Sequence, residues 1–545
     1  MNDPAGSEDR KKQEVFTLRQ EVSTRIQGRP LLRIFKQRQR SERKSIIPFM
    51  KQIAQLFLAF LLSHHTGFAQ SSLPLAPSPE SLGISSQAIL DFVEAAERER
   101  KDEVHSFMLL RRGSIAAQGW WNPYKPESPH MLYSLSKSFT STAIGIAQSE
   151  GLLSINDPVV KFFLDETPAN ASANLKAMRV RDLLRMTTGH NADPTFTMTR
   201  DTSDWAKAFL ALPVEHKPGT HFVYNSVATF MLSAIIQKVS GKTLLEYLTP
   251  RLFEPLGITH PSWETAPKGI NTGGWGLRIR TGDIARFGQL YLQQGAWNGK
   301  QLVPRTWVAE ATAAQTSNGS NPESDWEQGY GYQFWRCRYN LYRGDGAFGQ
   351  YCIVFPEQDA VLAITSGSKD MGAIMNLVWK HLLPAMKNES LPENGSSLRV
   401  LQAKLQTLAL PVPEGKAKPQ RDPSVSGKTY TLQPNPEGIT AVQFNLASKT
   451  PSVRFTRSTG SYDLPVSYGS VIPGRYRAPI GPEEPAASAY AWTSGDTLLI
   501  RSYLHETPYY HEYKVVFSGK EVKIKREANV GFNPANRLEL KGKID

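Results

Sequence analysis

Hydrophobic positions follow two regimes along the chain: helical spacing dominates the first two-thirds and strict alternation the last quarter. Residues 85–100 (SSQAILDFVEAAERER) put Ile89, Phe92, Val93 and Ala96 on one face with charges opposite, which predicts an amphipathic helix. Segments 105–110 and 115–121 flank Arg112-Gly113-Ser114 and predict a β-hairpin. Phe139 to Gln148 (FTSTAIGIAQ) is uncharged and rich in small residues, the pattern of a helix buried on all sides. Helical spacing continues at 181–186, 204–212, 227–239 and 281–294, and strand patterns return at 329–335, 349–355 and 361–366. A strand pair, many helices and then strands again predict an α+β fold. Its antiparallel sheet joins strands from opposite ends of the domain, with helices packed on it.

Residues 386–428 shift toward Pro, Gly, Ser and Lys, with one helical stretch at 398–408. We place the first domain at 75–412 and a linker at 413–426. From residue 427 to 545 the pattern is short alternating strands (TYTLQ, AVQFNL, SVRFTR, TLLIRSYL, YHEYKVVF, EVKIKRE). Turns fall between them at 434–436, 494–496 and 518–520, which predicts an all-β sandwich or barrel.

Composition narrows the classes. With 545 residues, 40% hydrophobic and 21% charged, the chain is globular and long enough for two or three domains. Two cysteines cannot build a disulfide scaffold or a four-Cys zinc site, and no His-x-x-x-His pair occurs, so no metal or organic cofactor is expected. A mean hydropathy of −0.37 excludes a polytopic membrane protein. Residues 1–69 carry 13 Lys or Arg against 6 Asp or Glu, leaving only +6 of the +13 net charge for the other 476 residues. No basic stripe interleaved with aromatics appears there, so nucleic acid is not an expected partner.

The basic stretch 1–49 reads as disordered. Met50-Lys51, the apolar run Ile53 to Leu62 and the small residues up to Ala69 form a secretory-signal pattern. We expect a signal at Met50–Ala69, translation from Met50, a secreted or periplasmic protein, and no membrane span after cleavage.

Chemistry concentrates at Tyr133-Ser134-Leu135-Ser136-Lys137. Ser134 and Lys137 are three residues apart at the start of the uncharged helix, so their side chains share one face. Ser-x-x-Lys alone is weak, since Ser41…Lys44 and Ser366…Lys369 repeat it. Context separates Ser134: a Lys pressed against an apolar helix is costly to bury charged. Its pKa falls from about 10.4 toward neutrality, where it can take the serine proton. A capping Ser with a snorkelling Lys is the plainer alternative.

Residues 130–148 (HMLYSLSKSFTSTAIGIAQ) resemble the first motif of the serine β-lactamase and penicillin-binding protein superfamily. They are most similar to its class C β-lactamase-related, esterase and 6-aminohexanoate-dimer hydrolase branch. The resemblance continues in order through VRDLLRMTTGHN (180–191), PGTHFVYNSVATFMLSAIIQKVSG (218–241), GWGLRIRTGDIARFGQLYL (274–292), GYGYQFW (329–335) and GAFGQYCIVFPEQDAV (346–361). It implies a β-lactamase/transpeptidase-like domain, with Ser134 as acylated nucleophile, Lys137 as its basic partner and Tyr224 as the proton relay of the Tyr-x-Asn motif. A phenol beside a lysine ammonium is expected to have a depressed pKa. Here the motif reads Tyr224-Asn225-Ser226, so a hydroxyl replaces the third amide.

The third family motif, Lys-Thr-Gly or His-x-Gly, is missing from Arg343-Gly344-Asp345-Gly346-Ala347-Phe348-Gly349-Gln350. We favour Gly344-Asp345-Gly346 in its place, with the N–H groups of Ser134 and Ala347 as oxyanion hole; a register three residues later puts Gln350 there. Either way the cation that helps hold a substrate carboxylate is gone. One lost charge-assisted hydrogen bond costs about 1.5–3 kcal/mol. Unless Arg343 reaches inward, this argues for a neutral or linear amide, ester or peptide-like substrate.

Cys337 and Cys352 are equidistant from a turn at Gly344-Asp345, so a hairpin centred there would let them form a disulfide; two separate buried thiols are the alternative. His130 and His190 read as structural hydrogen-bonders, and Asp182 as a helix cap. The expected function is an exported serine hydrolase. The rivals are a D,D-peptidase or class C-like β-lactamase, and an inactive cell-wall-fragment binder.

Overall fold

The computed structural model describes residues 73–99, 102–419, 425–478, 483–532 and 537–544. The predicted leader at 1–69, with its signal at Met50–Ala69, lies outside the described residues, as does the 420–424 stretch of the predicted linker. Helix α1 (Ser86–Arg98) starts on the Ser85 side chain, which accepts from the Ala88 N–H, and buries Ile89, Phe92 and Val93. It leads into strands β1 (Asp102–Arg111) and β2 (Ser114–Trp120). The main helices that follow are α2 (Ser136–Ser149), α3 (Thr195–Asp201), α4 (Ser226–Ser240) and α5 (Thr281–Leu292). Strands β3 (Trp335–Arg336), β4 (Tyr342–Gly346), β5 (Gln350–Phe355) and β6 (Ala360–Ser368) then complete a six-stranded sheet in the order β2-β1-β6-β5-β4-β3. Strand β1 pairs antiparallel with β6 from Asp102↔Ser368 to Arg111↔Ala360, so the sheet does join the two ends of the domain.

Alternation along these strands makes two cores. Met108, Leu110, Cys352 and Val354 face the layer of α2, α4 and α5, while Phe107, Leu109, Tyr351 and Ile353 pack with α1 and with α6 (Gly395–Gln406). The strand expected over 329–335 is reduced to Trp335–Arg336. A turn in which Gly331 N–H meets the Phe334 carbonyl, and a positive φ at Gln333, divide its aromatics between two clusters.

Beyond α6 the described residues form eleven strands: β7 (Thr429–Leu432), β8 (Ile439–Asn445), β9 (Ser452–Arg457), β10 (Gly460–Pro465), β11 (Ser467–Tyr468), β12 (Ile472–Arg477), β13 (Glu483–Trp492), β14 (Thr497–Tyr503), β15 (Tyr510–Ser518), β16 (Glu521–Ala528) and β17 (Arg537–Lys543). They make one sheet in the order β10-β9-β8-β7-β17-β16-β15-β14-β13-β11, with β12 on β13, around Tyr430, Phe444, Phe455, Trp492 and Phe517. The fold is therefore α+β, an antiparallel sheet flanked by helices, with a C-terminal β-rich region. Ser71–Asp545 form one compact unit. The Arg278 guanidinium holds the Glu484 carboxylate at 2.6 and 2.8 Å, and the Met131 N–H donates to the Glu506 carbonyl at 2.8 Å, locking the β-rich region onto the first sheet's domain. Among the described residues no helix is long and apolar enough to cross a membrane.

Candidate active site

A 3-10 turn, Tyr133–Leu135, feeds directly into α2, so Ser134 and Lys137 sit one turn apart. Tyr133 is held at φ 49°, a left-handed conformation that a non-glycine residue keeps only where its surroundings dictate it. Every residue of α2 from Ser136 to Ala147 is buried. Its hydroxyls tie it to its neighbours: Ser138 donates to the Gln333 carbonyl at 2.8 Å and Thr140 to that of Gly273 at 2.8 Å.

Lys137 is 1% exposed. Its Nζ lies 2.7 Å from the Gly274 carbonyl oxygen, 3.0 Å from Ser226 Oγ and 3.0 Å from Ser134 Oγ. Burial lowers its pKa to about 7, against the opposing pull of the Asp193 and Asp345 carboxylates. A neutral amine has two N–H donors and one lone pair. With the donors on Gly274 and Ser226, this form can turn the lone pair to the Ser134 hydroxyl. Position 274 must be glycine for this, since a Cβ there would sit 2.6 Å from the Ser226 carbonyl oxygen.

Tyr224 lines the cleft together with Ser134, whose side chain acts on its phenol. Its ring stacks on Trp335 with centroids 5.3 Å apart and lies 4.9 Å from Lys137 Nζ. The depressed phenol pKa expected from the sequence is corrected: burial, reinforced by the Asp345 charge, raises it well above the ordinary value, and the Ser134 side chain offsets only part of this. A lysine that is half neutral supplies too little positive charge to counter that desolvation.

Of the other predicted residues, Ser226 reaches Lys137 and Ala347 lines the cleft. Asn225, expected from the motif as a substrate or oxyanion contact, is buried: its Oδ1 caps α4 by accepting from the Ala228 N–H at 3.0 Å, while its Nδ2 has no partner among the described residues. Gly346 contributes backbone only, and a Cβ there would meet the Leu132 carbonyl oxygen at 1.9 Å. Strand β4 carries Asp345 into the cleft wall, whereas Gln350 is buried against the Ala347 and Ser366 carbonyls. The stretch beside Ser134 is thus Gly344-Asp345-Gly346. A side chain at 344 would strike the Leu135 and Ser138 side chains at 2.5–2.6 Å, so restoring a cation there requires those side chains to shift.

Arg343 does not reach the cleft. It is fully buried, donates to Asp345 Oδ2 at 2.9 Å and lies 4.7 Å from the Trp326 ring. The Asp345 charge is thereby matched by a guanidinium held behind it.

The expected Cys337–Cys352 disulfide is absent; both thiols are free and buried. The hairpin turns at Ala347–Gly349, with Gly346 opposite Gln350, so Cys352 pairs with Gly344. Cys337 and Cys352 lie in the two different cores, on opposite faces of the sheet, with Cys337 Sγ beside Arg343 Nη1 at 3.1 Å.

His130 sits 3.1 Å from His105 Nδ1 in a buried stack with Tyr124, and burial lowers its pKa to about 3. His190 contacts Thr188 Oγ1 at 2.8 Å. Asp182 accepts from the Arg179 N–H at 2.9 Å and from Arg185 at 2.8 Å. Among the described residues no group of three or more His, Cys, Asp or Glu is placed to hold a metal ion.

The cleft has a volume of about 470 Å³, and its lining adds residues that sequence reasoning missed: Asp193, Phe196, Trp275, Met371 and Phe532. Trp275 lies inside the quoted 274–292 stretch, but nothing in the local pattern marks Phe532, almost four hundred residues from Ser134.

A family model described as Beta-lactamase matches residues 93–379, just over half of the chain. A 6-aminohexanoate-dimer hydrolase of Paenarthrobacter ureafaciens is 24% identical over 287 residues, 49% of this chain and 73% of that protein. A putative D-alanyl-D-alanine carboxypeptidase of Escherichia coli K12 is 26% identical over 141 residues, 24% of this chain and 32% of its own. Among solved structures, a putative 6-aminohexanoate-dimer hydrolase from Bacillus anthracis aligns with a TM-score of 0.49 at 19% identity, covering 59% of this chain and 89% of its own.

Proposed function

The chain belongs to the β-lactamase family of serine hydrolases, and from that premise we propose that it cleaves a neutral amide or ester through an acyl-enzyme on Ser134. The observation that carries this reading is the buried Lys137 amine, with Nζ 3.0 Å from Ser134 Oγ and also within reach of Ser226 Oγ and the Gly274 carbonyl, so that its neutral form can turn a lone pair to the serine hydroxyl. The amine takes the hydroxyl proton as Oγ attacks the carbonyl carbon. The N–H groups of Ser134 and Ala347 stabilise the developing oxyanion. The Tyr224 phenol, kept protonated by burial and lining the cleft with Ser134, passes its proton to the leaving oxygen or nitrogen and is replenished from the Lys137 ammonium. Water then attacks the acyl carbon by the same groups in reverse.

The preference against an anionic substrate rests on the wall: among the described residues lining the cleft there is no Lys or Arg, and two carboxylates stand there, Asp345 matched by Arg343 and Asp193 hydrogen-bonded to Thr195. A relative named for a 6-aminohexanoate dimer supports a linear amide. The leader pattern at Met50–Ala69 supports a secreted or periplasmic location, tested by fusing residues 50–75 to a reporter active only outside the cytoplasm. A fluorophosphonate adduct on Ser134, found by intact mass, together with turnover of p-nitrophenyl esters and linear amides in preference to nitrocefin and D-Ala-D-Ala peptides, is the expected result. Nitrocefin turnover as the dominant activity would establish a β-lactamase instead, and no adduct on folded protein would establish an inactive binder.

A further inference from the structure

We propose that the loop after β16 of the C-terminal region carries Phe532 into the wall of the catalytic cleft, where it and Phe196 beside it form one apolar face for an acyl or aryl group of the substrate; this rests on the serine-hydrolase reading of Ser134. Phe532 follows β16 and Phe196 lies in α3, yet their ring centroids are 5.7 Å apart at the cleft mouth. Both are unusually exposed for phenylalanine, 54% and 68%. Large apolar side chains left in water inside a concave site mark a surface meant to be covered.

Phe532 is bonded by contact to the nucleophile's neighbourhood. Its ring is 5.5 Å from Tyr133, the residue before Ser134, and 4.9 Å from Phe348, the residue after Ala347. Tyr133 also meets Tyr509 of the C-terminal region, hydroxyl to hydroxyl. The wall is fixed to its base: the Asn529 amide donates to the Pro508 carbonyl at 2.9 Å and its Oδ1 accepts from the Tyr510 N–H at 2.9 Å. Tyr124 donates to the Thr507 carbonyl at 2.9 Å, joining that loop to the catalytic domain. With Trp275 and Trp335 deeper in the cleft, the surface facing an acyl group is aromatic and carries no cation. A straight or branched chain of several carbons, or a phenyl ring, satisfies it; a carboxylate does not.

The test compares wild type, Phe532→Ala, Phe532→Leu and Phe196→Ala, each as the full chain and checked by thermal unfolding. The ratio of kcat/KM for p-nitrophenyl octanoate to that for the acetate is measured. Covering a phenyl face is worth about one order of magnitude, so the ratio falls about tenfold in Phe532→Ala and recovers in Phe532→Leu. A ratio unchanged in Phe532→Ala overturns the proposal. Octanamide binding to Ser134→Ala, read by tryptophan fluorescence, separates the two readings: binding weakened by adding Phe532→Ala supports the wall even where hydrolysis fails, and binding indifferent to it overturns the wall even where hydrolysis is present. Hydrolysis that survives Ser134→Ala refutes the acyl-enzyme alone.

Discussion

Lys137 Nζ and Ser134 Oγ lie 3.0 Å apart, with the amine sealed from water and the hydroxyl open to the cleft. Only the neutral amine can accept the serine proton. With the Lys137 pKa brought down to about 7, the acylation rate rises with pH through that value and levels above it. A pH profile of kcat/KM for a p-nitrophenyl ester shows this limb. Lys137→Met removes the base, lowers kcat/KM by about 10²–10⁴ and abolishes the limb.

Tyr224→Phe removes the proton delivered to the leaving group while keeping the stack on Trp335. Leaving groups that depart as anions feel it least. The expected result is a small loss on p-nitrophenyl esters and a loss of about 10²–10⁴ on alkyl amides, so the ester-to-amide ratio of kcat/KM rises.

Asp345→Asn leaves the buried Arg343 guanidinium without its ion-pair partner. Breaking a buried pair from one side costs about 3–5 kcal/mol, so the midpoint of urea unfolding falls clearly. An exposed pair such as Arg454–Asp463, broken in the same way, shifts it little.

Cys337 and Cys352 titrate as two free thiols with a disulfide reagent in denaturant and as none in the folded protein over minutes, because both are buried. Intact mass is the same with and without reductant. A difference of two hydrogens would restore the disulfide.

What the sequence could show is local. Ser134, Lys137 and Ser226 were legible because helix spacing and motif order place them, and the sheet's joining of early and late strands followed from the pattern of elements. The disulfide failed because symmetry of numbering assumed a turn at Gly344-Asp345, while β4 runs on to Gly346 opposite Gln350 and the two cysteines enter different cores. The capping role of Asn225 was not legible, because an Asn before a helix serves equally as cap and as ligand. The Tyr224 shift was misjudged in sign because burial depth is a tertiary property. Phe532 could not be seen at all, since its meaning depends on how an entire second sheet is docked.

In that second sheet β7 pairs with β17, Thr431 beside Lys543. The two strands are far apart in the chain, and Phe532 stands just ahead of the second. The aromatic flank beside the serine therefore hangs on a closure between distant segments: cutting the chain between these strands would leave the serine, its amine and its phenol in place and take away the flank that faces them.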